Sequence, residues 1–170
     1  MSTRVFLIAS LAALALTRSA SAAPTKVSGS FHCAKPDQII PVQDMNGHKL
    51  AVQQLQCTWT KPMQLVGVQT TDGASSEITD IRGDTGRYLG YNVTTMSNAD
   101  VMSISYFGKA TMKDGAIVTL KGPWTLFGGT GKLKELQGRG KYRCKADADG
   151  MSCDAEGNYS VSKFLSIPPH

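Results

Sequence analysis

Apolar and polar residues alternate along most of this chain with a period of two. After the first two dozen residues no window carries the i, i+3, i+4 stripe of an amphipathic helix. In 118–126 the even positions are Val118, Leu120, Gly122, Trp124 and Leu126, while the odd ones include Thr119, Lys121 and Thr125. In 102–112 the even positions are Met102, Ile104, Tyr106, Gly108, Ala110 and Met112. Ser103, Ser105, Lys109 and Thr111 oppose them, together with Phe107. Period two places each set on one face of a strand. Asp114-Gly115 between the two runs signals a two-residue hairpin turn. Residues 49–59 alternate with a slip in phase. Leu50 and Val52 share one parity, Leu55, Cys57 and Trp59 the other, and a β-bulge at Gln53-Gln54 is expected to absorb the slip. Further strands are expected at 27–33, 63–71, 76–82, 86–95, 137–145 and 152–161. Turn residues at Asp72-Gly73, Gly83-Asp84, Asn98 and Asp149-Gly150 separate them.

Many short strands, each with one apolar face, predict a sandwich or a barrel. Closure into a barrel removes the edges a secreted sheet would otherwise expose. Gly108, Gly122, Gly138 and Gly140 lie inside strands and suit the sharp coiling of a small barrel. The expected fold class is therefore all-β: a single antiparallel β-barrel of about eight strands over 23–170, after an N-terminal signal peptide.

The segment Phe127-Gly128-Gly129-Thr130-Gly131-Lys132-Leu133 invites a phosphate-loop reading, and its spacing rejects that reading. With Gly131-Lys132 as the Gly-Lys pair, Leu126 stands where the first glycine belongs and Leu133 where the hydroxyl belongs. No Gly-x-Gly-x-x-Gly fingerprint occurs here. The glycines instead predict a tight turn, with Gly129 or Gly131 at positive φ. This segment follows a strand and precedes Gly138-x-Gly140-x-Tyr142. In that order it resembles the allene oxide cyclase–dirigent barrel superfamily and its secreted bacterial relatives, over about 118–161. The resemblance implies an eight-stranded antiparallel barrel. Plant members cyclise an epoxide or steer the coupling of phenoxy radicals. Their catalytic residues sit on strands that do not align with this chain, so no catalytic residue carries over. Leu133 replaces the Phe common in such relatives.

Residues 1–22 read as a signal peptide. Arg4 supplies the positive region, Val5 to Leu16 the apolar run, and Ala20-Ser21-Ala22 a small-x-small site, with cleavage after Ala22. The run is too short to span a bilayer, so the chain is expected in the periplasm or outside the cell. Loss of Arg4 and Arg18 lowers the formal net charge from +5 to +3, a mildly basic mature chain. All four cysteines lie in that part. An even count in an exported chain implies disulfides. Of the three connectivities, Cys33–Cys57 with Cys144–Cys153 is favoured, because each pair brackets a hairpin. No pair has zinc-finger spacing.

Residues 145–156 partly match a calcium loop, with Asp147, Asp149, Gly150 and Glu156 in register. Lys145 occupies the first ligand position, which favours a solvated turn. His32, His48 and His170 are too dispersed for a facial metal site. Glu77, Asp80 and Asp84 cluster, and either place a carboxylate near a barrel mouth or form a solvated polar rim, the reading favoured by default. No Gly-x-Ser-x-Gly elbow is present. Asn92 and Asn158 head glycosylation sequons that a bacterial-type leader makes irrelevant. Arg139, Lys141, Arg143 and Lys145 alternate on one strand face, either as a solvated surface or as an anion-binding stripe. Nucleic acid is disfavoured by export and by the lack of interleaved aromatics. No metal or cofactor is expected, and the catalytic residues are unknown. The reading is an exported barrel of no identifiable chemistry, a binding or envelope accessory protein whose partner is a small apolar ligand or an anionic envelope polymer. The alternative is a lyase or isomerase using the lumen. Tyr106, Trp124 and Tyr142 fall on the inner parities and either fill the lumen or line it.

Overall fold

The computed structural model describes residues 23–34 and 39–161. The expected leader (1–22) and the tail at 167–170 lie outside them. Ten strands follow one another: β1 (Thr25–Ala34), β2 (Ile39–Pro41), β3 (His48–Lys61), β4 (Gln64–Leu65), β5 (Val68–Arg82), β6 (Thr85–Met96), β7 (Val101–Lys113), β8 (Ala116–Gly129), β9 (Leu136–Ala146) and β10 (Gly150–Val161). A single 3₁₀ turn at Gly131–Leu133 joins β8 to β9. No helix among the described residues is long and apolar enough to cross a membrane.

Strands β5 to β10 form an antiparallel meander, and β10 continues onto β1. β3 then closes the ring, pairing with β1 on one side and β5 on the other. The closed barrel thus has eight strands, with β2 and β4 as short additions at its rims. Closure satisfies the backbone groups that the edges of an open sheet would expose.

Alternation fixes what points inward. On β7 and β8 the buried set includes Met102, Ala110, Met112, Leu120, Trp124 and Leu126, all of the even parity. At the start of β8 the β7–β8 register shifts, so Ile117 rather than Val118 turns in to pack on the core. Asp114 and Gly115 both hold positive φ, as a type I′ hairpin turn requires.

Two expectations fail. β3 runs from His48 to Thr58 against β5 in continuous register, without a bulge at Gln53-Gln54. The phase slip is resolved by exposure: the inward parity is Ala51, Gln53, Leu55 and Cys57, and Val52 remains half exposed. Asp72-Gly73 is not a turn either. It lies within β5, where the register to β6 shifts between Thr70 and Gly73, so two expected strands are one bent strand.

The glycine segment ends β8 in a bulge and turns the chain back. Gly128 and Gly131 hold positive φ. Gly129 does not, but a Cβ there would lie 2.2 Å from the Val101 carbonyl. Further along, Gly140 and Gly157 leave the space that the Trp124 indole fills; a Cβ at either would come within 2.5 Å of the ring. This accounts for the Gly-x-Tyr spacing of β9 by packing alone. Cys33 is bonded to Cys57 and Cys144 to Cys153, each pair directly opposite in its strand register.

Candidate functional site: the barrel lumen

The inner wall is polar on one side and apolar on the other. β3, β5 and β6 contribute Gln53, Ser75, Glu77, Thr79, Asn92 and Thr94, all but Asn92 buried. Facing them are Leu120, Trp124, Leu126, Tyr142, Met151 and Ala155 from β8, β9 and β10, with both disulfides beside them. Between the walls lies a residual cavity of about 80 Å³, lined on its polar side by Ser75, Glu77 and Asn92. An engineered apolar cavity of about 150 Å³ accepts benzene, so this space suits a smaller molecule. Met63, Met102 and Met151 also line it, and thioether side chains repack more readily than branched ones.

Glu77 is the chemical centre. Its side chain is almost wholly enclosed, 4% exposed. One carboxyl oxygen accepts from Gln53 Nε2 at 2.7 Å and from Thr79 Oγ1 at 2.8 Å. The Tyr106 hydroxyl lies beside the carboxyl as well. Burial raises its pKa above the ordinary carboxylate value and outweighs the lowering by these donors. Burial also raises the phenols of Tyr88, Tyr106 and Tyr142, and the nearby Glu77 charge reinforces the effect. The three rings form a cluster with centroids 5.7–6.3 Å apart.

Four buried polar atoms in this interior lack a hydrogen-bond partner: Gln53 Oε1, Tyr88 Oη, Trp124 Nε1 and Tyr142 Oη. Tyr88 and Tyr142 pack edge to plane, with their hydroxyls near enough for each to act on the other's ionisation. Such orphans are rare in folded proteins and mark missing water, strain or function. Tyr142 and Trp124 both line the cavity.

Sequence reasoning placed Tyr106, Trp124 and Tyr142 inside but assigned Glu77 to a polar rim with Asp80 and Asp84. The structure separates the three. Glu77 enters the lumen. Asp80 faces outward to His48 (3.0 Å) and Arg82 (3.3 Å), and Asp84 sits in the β5–β6 turn. The residues of the calcium-loop match do not converge. The pKa of Asp147 is held down at about 2 chiefly by the Ser152 hydroxyl, then by His32 and by the backbone N–H groups of Asp149 and Gly150, all of which it contacts. Glu156 lies far along β10, paired with Lys141 at 3.1 Å. Among the described residues no three His, Cys, Asp or Glu side chains gather at a metal-sized site. Asn92 heads a sequon yet points inward, donating to Ser75 Oγ and accepting from Thr94. Arg139, Lys141, Arg143 and Lys145 all project from the outer face of β9.

Fold and site together define a closed, eight-stranded, two-disulfide antiparallel barrel with a partly filled interior. No family model and no curated protein matches the sequence. Among solved structures, the chain is similar to a protein of unknown function from the DUF3224 family of Shewanella oneidensis MR-1. The two share 16% identity over 84% of this chain and 100% of the other, with a TM-score of 0.52. It is also similar to a pterocarpan synthase dirigent protein, at 14% identity over 89% of this chain and 93% of the other, with a TM-score of 0.46. At these identities the likeness is one of fold alone.

Proposed function

We propose that this protein is an exported, non-enzymatic barrel that holds a small, mainly apolar molecule in its lumen. The observation that carries the reading is the pairing of an apolar cavity with orphaned hydrogen-bonding groups at its wall. Tyr142 Oη and Trp124 Nε1 are donors without acceptors. A ligand that carries a carbonyl or ether oxygen on a short hydrocarbon body would offer such a donor an acceptor. The two disulfides fit export into an oxidising compartment.

A second reading is a lyase or isomerase. It draws on Glu77, a buried carboxyl with raised pKa beside Tyr106, in a position to exchange a proton with a bound molecule. One probe separates the two. Titration of the disulfide-bonded protein with 2-butanone, followed by NMR, should shift the methyl signals of Met102 and Met151, and Tyr142→Phe should weaken binding. Under the binding reading the ketone stays unlabelled in heavy water. Glu77-dependent deuterium uptake at its α-carbons would establish proton transfer instead. No shift at any lumen methyl would reject both readings.

A further inference from the structure

The outer wall of β6 to β9 carries a pattern that neither the fold nor the lumen explains. Arg87 stands directly opposite Lys109, Lys109 opposite Lys121, and Lys121 opposite Arg143. Four neighbouring strands therefore place four exposed cations in one row, at the ~4.8 Å strand spacing. Like charges directly opposite one another destabilise a sheet. A solvated face would mix signs, yet carboxylates appear only at the ends of the row, where Asp80 lies opposite Arg87 and Asp154 opposite Arg143. None of the four cations makes a salt bridge among the described residues. Arg139 and Lys145 of β9 lie on the same face to either side of Arg143, while Lys141 between them is paired with Glu156, so the positive surface extends along β9 as well as across it.

A second row runs beside the first, two residues along on β6 and β7 and extending onto β5 and β3. Val52 faces Ile78, Ile78 faces Leu89 and Leu89 faces Phe107, all outward and 47–59% exposed. Pro123 continues this row on β8, where pairing with β7 is recorded on either side of Phe107 and Gly108 but not across them. Proline has no N–H to donate there. The wall is sunken at this point. Gly108 and Gly122 face inward without side chains, and a groove of about 1040 Å³ opens outside them. Phe107, Pro123, Arg87, Lys109, Lys121 and Arg143 line it, with the carboxylates Asp154 and Glu156 at its β10 edge.

We propose that this wall docks on an anionic lipid bilayer. The cation row and the β9 cations meet the phosphates, and the Leu89–Phe107 row enters the interfacial layer. Charge complementarity selects an acidic surface. The adjoining apolar row selects lipid over a soluble acidic polymer, because a polymer needs only the cations. Basic residues at an anionic membrane and a partly inserted apolar face are the two terms of such binding. The proposal stands independently of the lumen reading.

The test is co-sedimentation of the disulfide-bonded full chain with vesicles of phosphatidylcholine, with and without phosphatidylglycerol. Binding should require phosphatidylglycerol and weaken as salt rises. Lys109→Gln with Lys121→Gln should lower the affinity about 25-fold, at about fivefold per cation. Leu89→Ser with Phe107→Ser should lower it by about tenfold or more at unchanged charge. Retained thermal midpoints and unchanged near-ultraviolet circular dichroism would show that both variants keep the fold. Equal binding to pure phosphatidylcholine, or none to either vesicle, would overturn the proposal. So would full retention of binding in the Leu89 and Phe107 variant with complete competition by heparin, which would assign the wall to an acidic polymer.

Discussion

The two faces of β6 to β9 handle polar groups in opposite ways, although the residues concerned are chain neighbours. Tyr88 points in and Arg87 out; Gly108 points in and Lys109 out; Tyr142 points in, with Lys141 and Arg143 out. Inside, burial holds one carboxyl and three phenols toward their neutral forms, and the cost appears as hydroxyls without partners. Outside, the cations stand in water, and the cost is mild repulsion across a solvated row. Interior polar chemistry should therefore answer to pH and to ligands, and exterior chemistry to salt. Substitutions one residue apart can separate the two.

The largest contrast is expected at Gly122 and its neighbour Lys121. A Cβ on Gly122 would lie 1.8 Å from the Phe107 carbonyl oxygen, a backbone atom of the adjoining strand. Neither can yield without parting β7 from β8. Gly122→Val should cost at least ~3 kcal/mol, the upper range of overpacking. Chemical denaturation should show either a collapse in stability or no folded protein. Lys121→Gln next to it should change stability by less than about 0.5 kcal/mol, as surface sites usually do. Comparable losses at both positions would mean that the inward and outward assignment of β8 is wrong by one residue.

How much of this was legible in the chain depended on whether apolar residues kept one parity. On β7 and β8 they did, from Met102 to Met112 and from Leu120 to Leu126, and the inner face could be read directly. The Asp114-Gly115 turn was equally readable, because few dipeptides tolerate two positive φ values in succession. On β3 and β5 parity misled. Val52 and Ile78 are exposed apolar residues, while Gln53, Ser75, Glu77 and Thr79 are buried polar ones. The lumen is polar on that side, so the usual rule inverts where the candidate site lies. Gly73 compounded this by marking a bulge within a strand, where sequence alone suggested a turn. One signal could have located Glu77: it shares the parity of Ile81, which is deeply buried on the same strand. The cation row was illegible because its members come from four strands, and only the pairing register makes them neighbours.

A smaller and pH-dependent difference is expected at Glu77. Its folded pKa lies above the ordinary 4.5. Below that value the carboxyl is protonated in both folded and unfolded chains, and its full contribution is present. As pH rises, the unfolded chain ionises first. Stability therefore falls as pH passes from 4.5 through the folded pKa, and then levels off. Glu77→Gln keeps the shape and an acceptor for Gln53 and Thr79 but cannot ionise. Melting temperatures measured from acid to neutral pH should decline for the wild type and decline less for the variant. Parallel curves would show that Glu77 does not ionise at any tested cost, and the lumen would lose its titratable centre.

The smallest effect belongs to the outer row, and its sign is what matters. Lys121 faces a cation on each side, Lys109 across β7 and Arg143 across β9. Removing its charge relieves two like-charge pairs, each worth roughly 0.2–1 kcal/mol before solvent screening. Because all three side chains are exposed to solvent, the lower end applies. Lys121→Gln should then raise the thermal midpoint slightly at low ionic strength. The gain should shrink as salt is added and the Debye length falls below ~10 Å, while the interior variant Glu77→Gln should show little salt dependence. A salt-independent loss at Lys121 would have a different origin. It would mean that the aliphatic stem packs along the Pro123 side of the groove and contributes by burial, making the wall a structural surface whose positive charge is incidental.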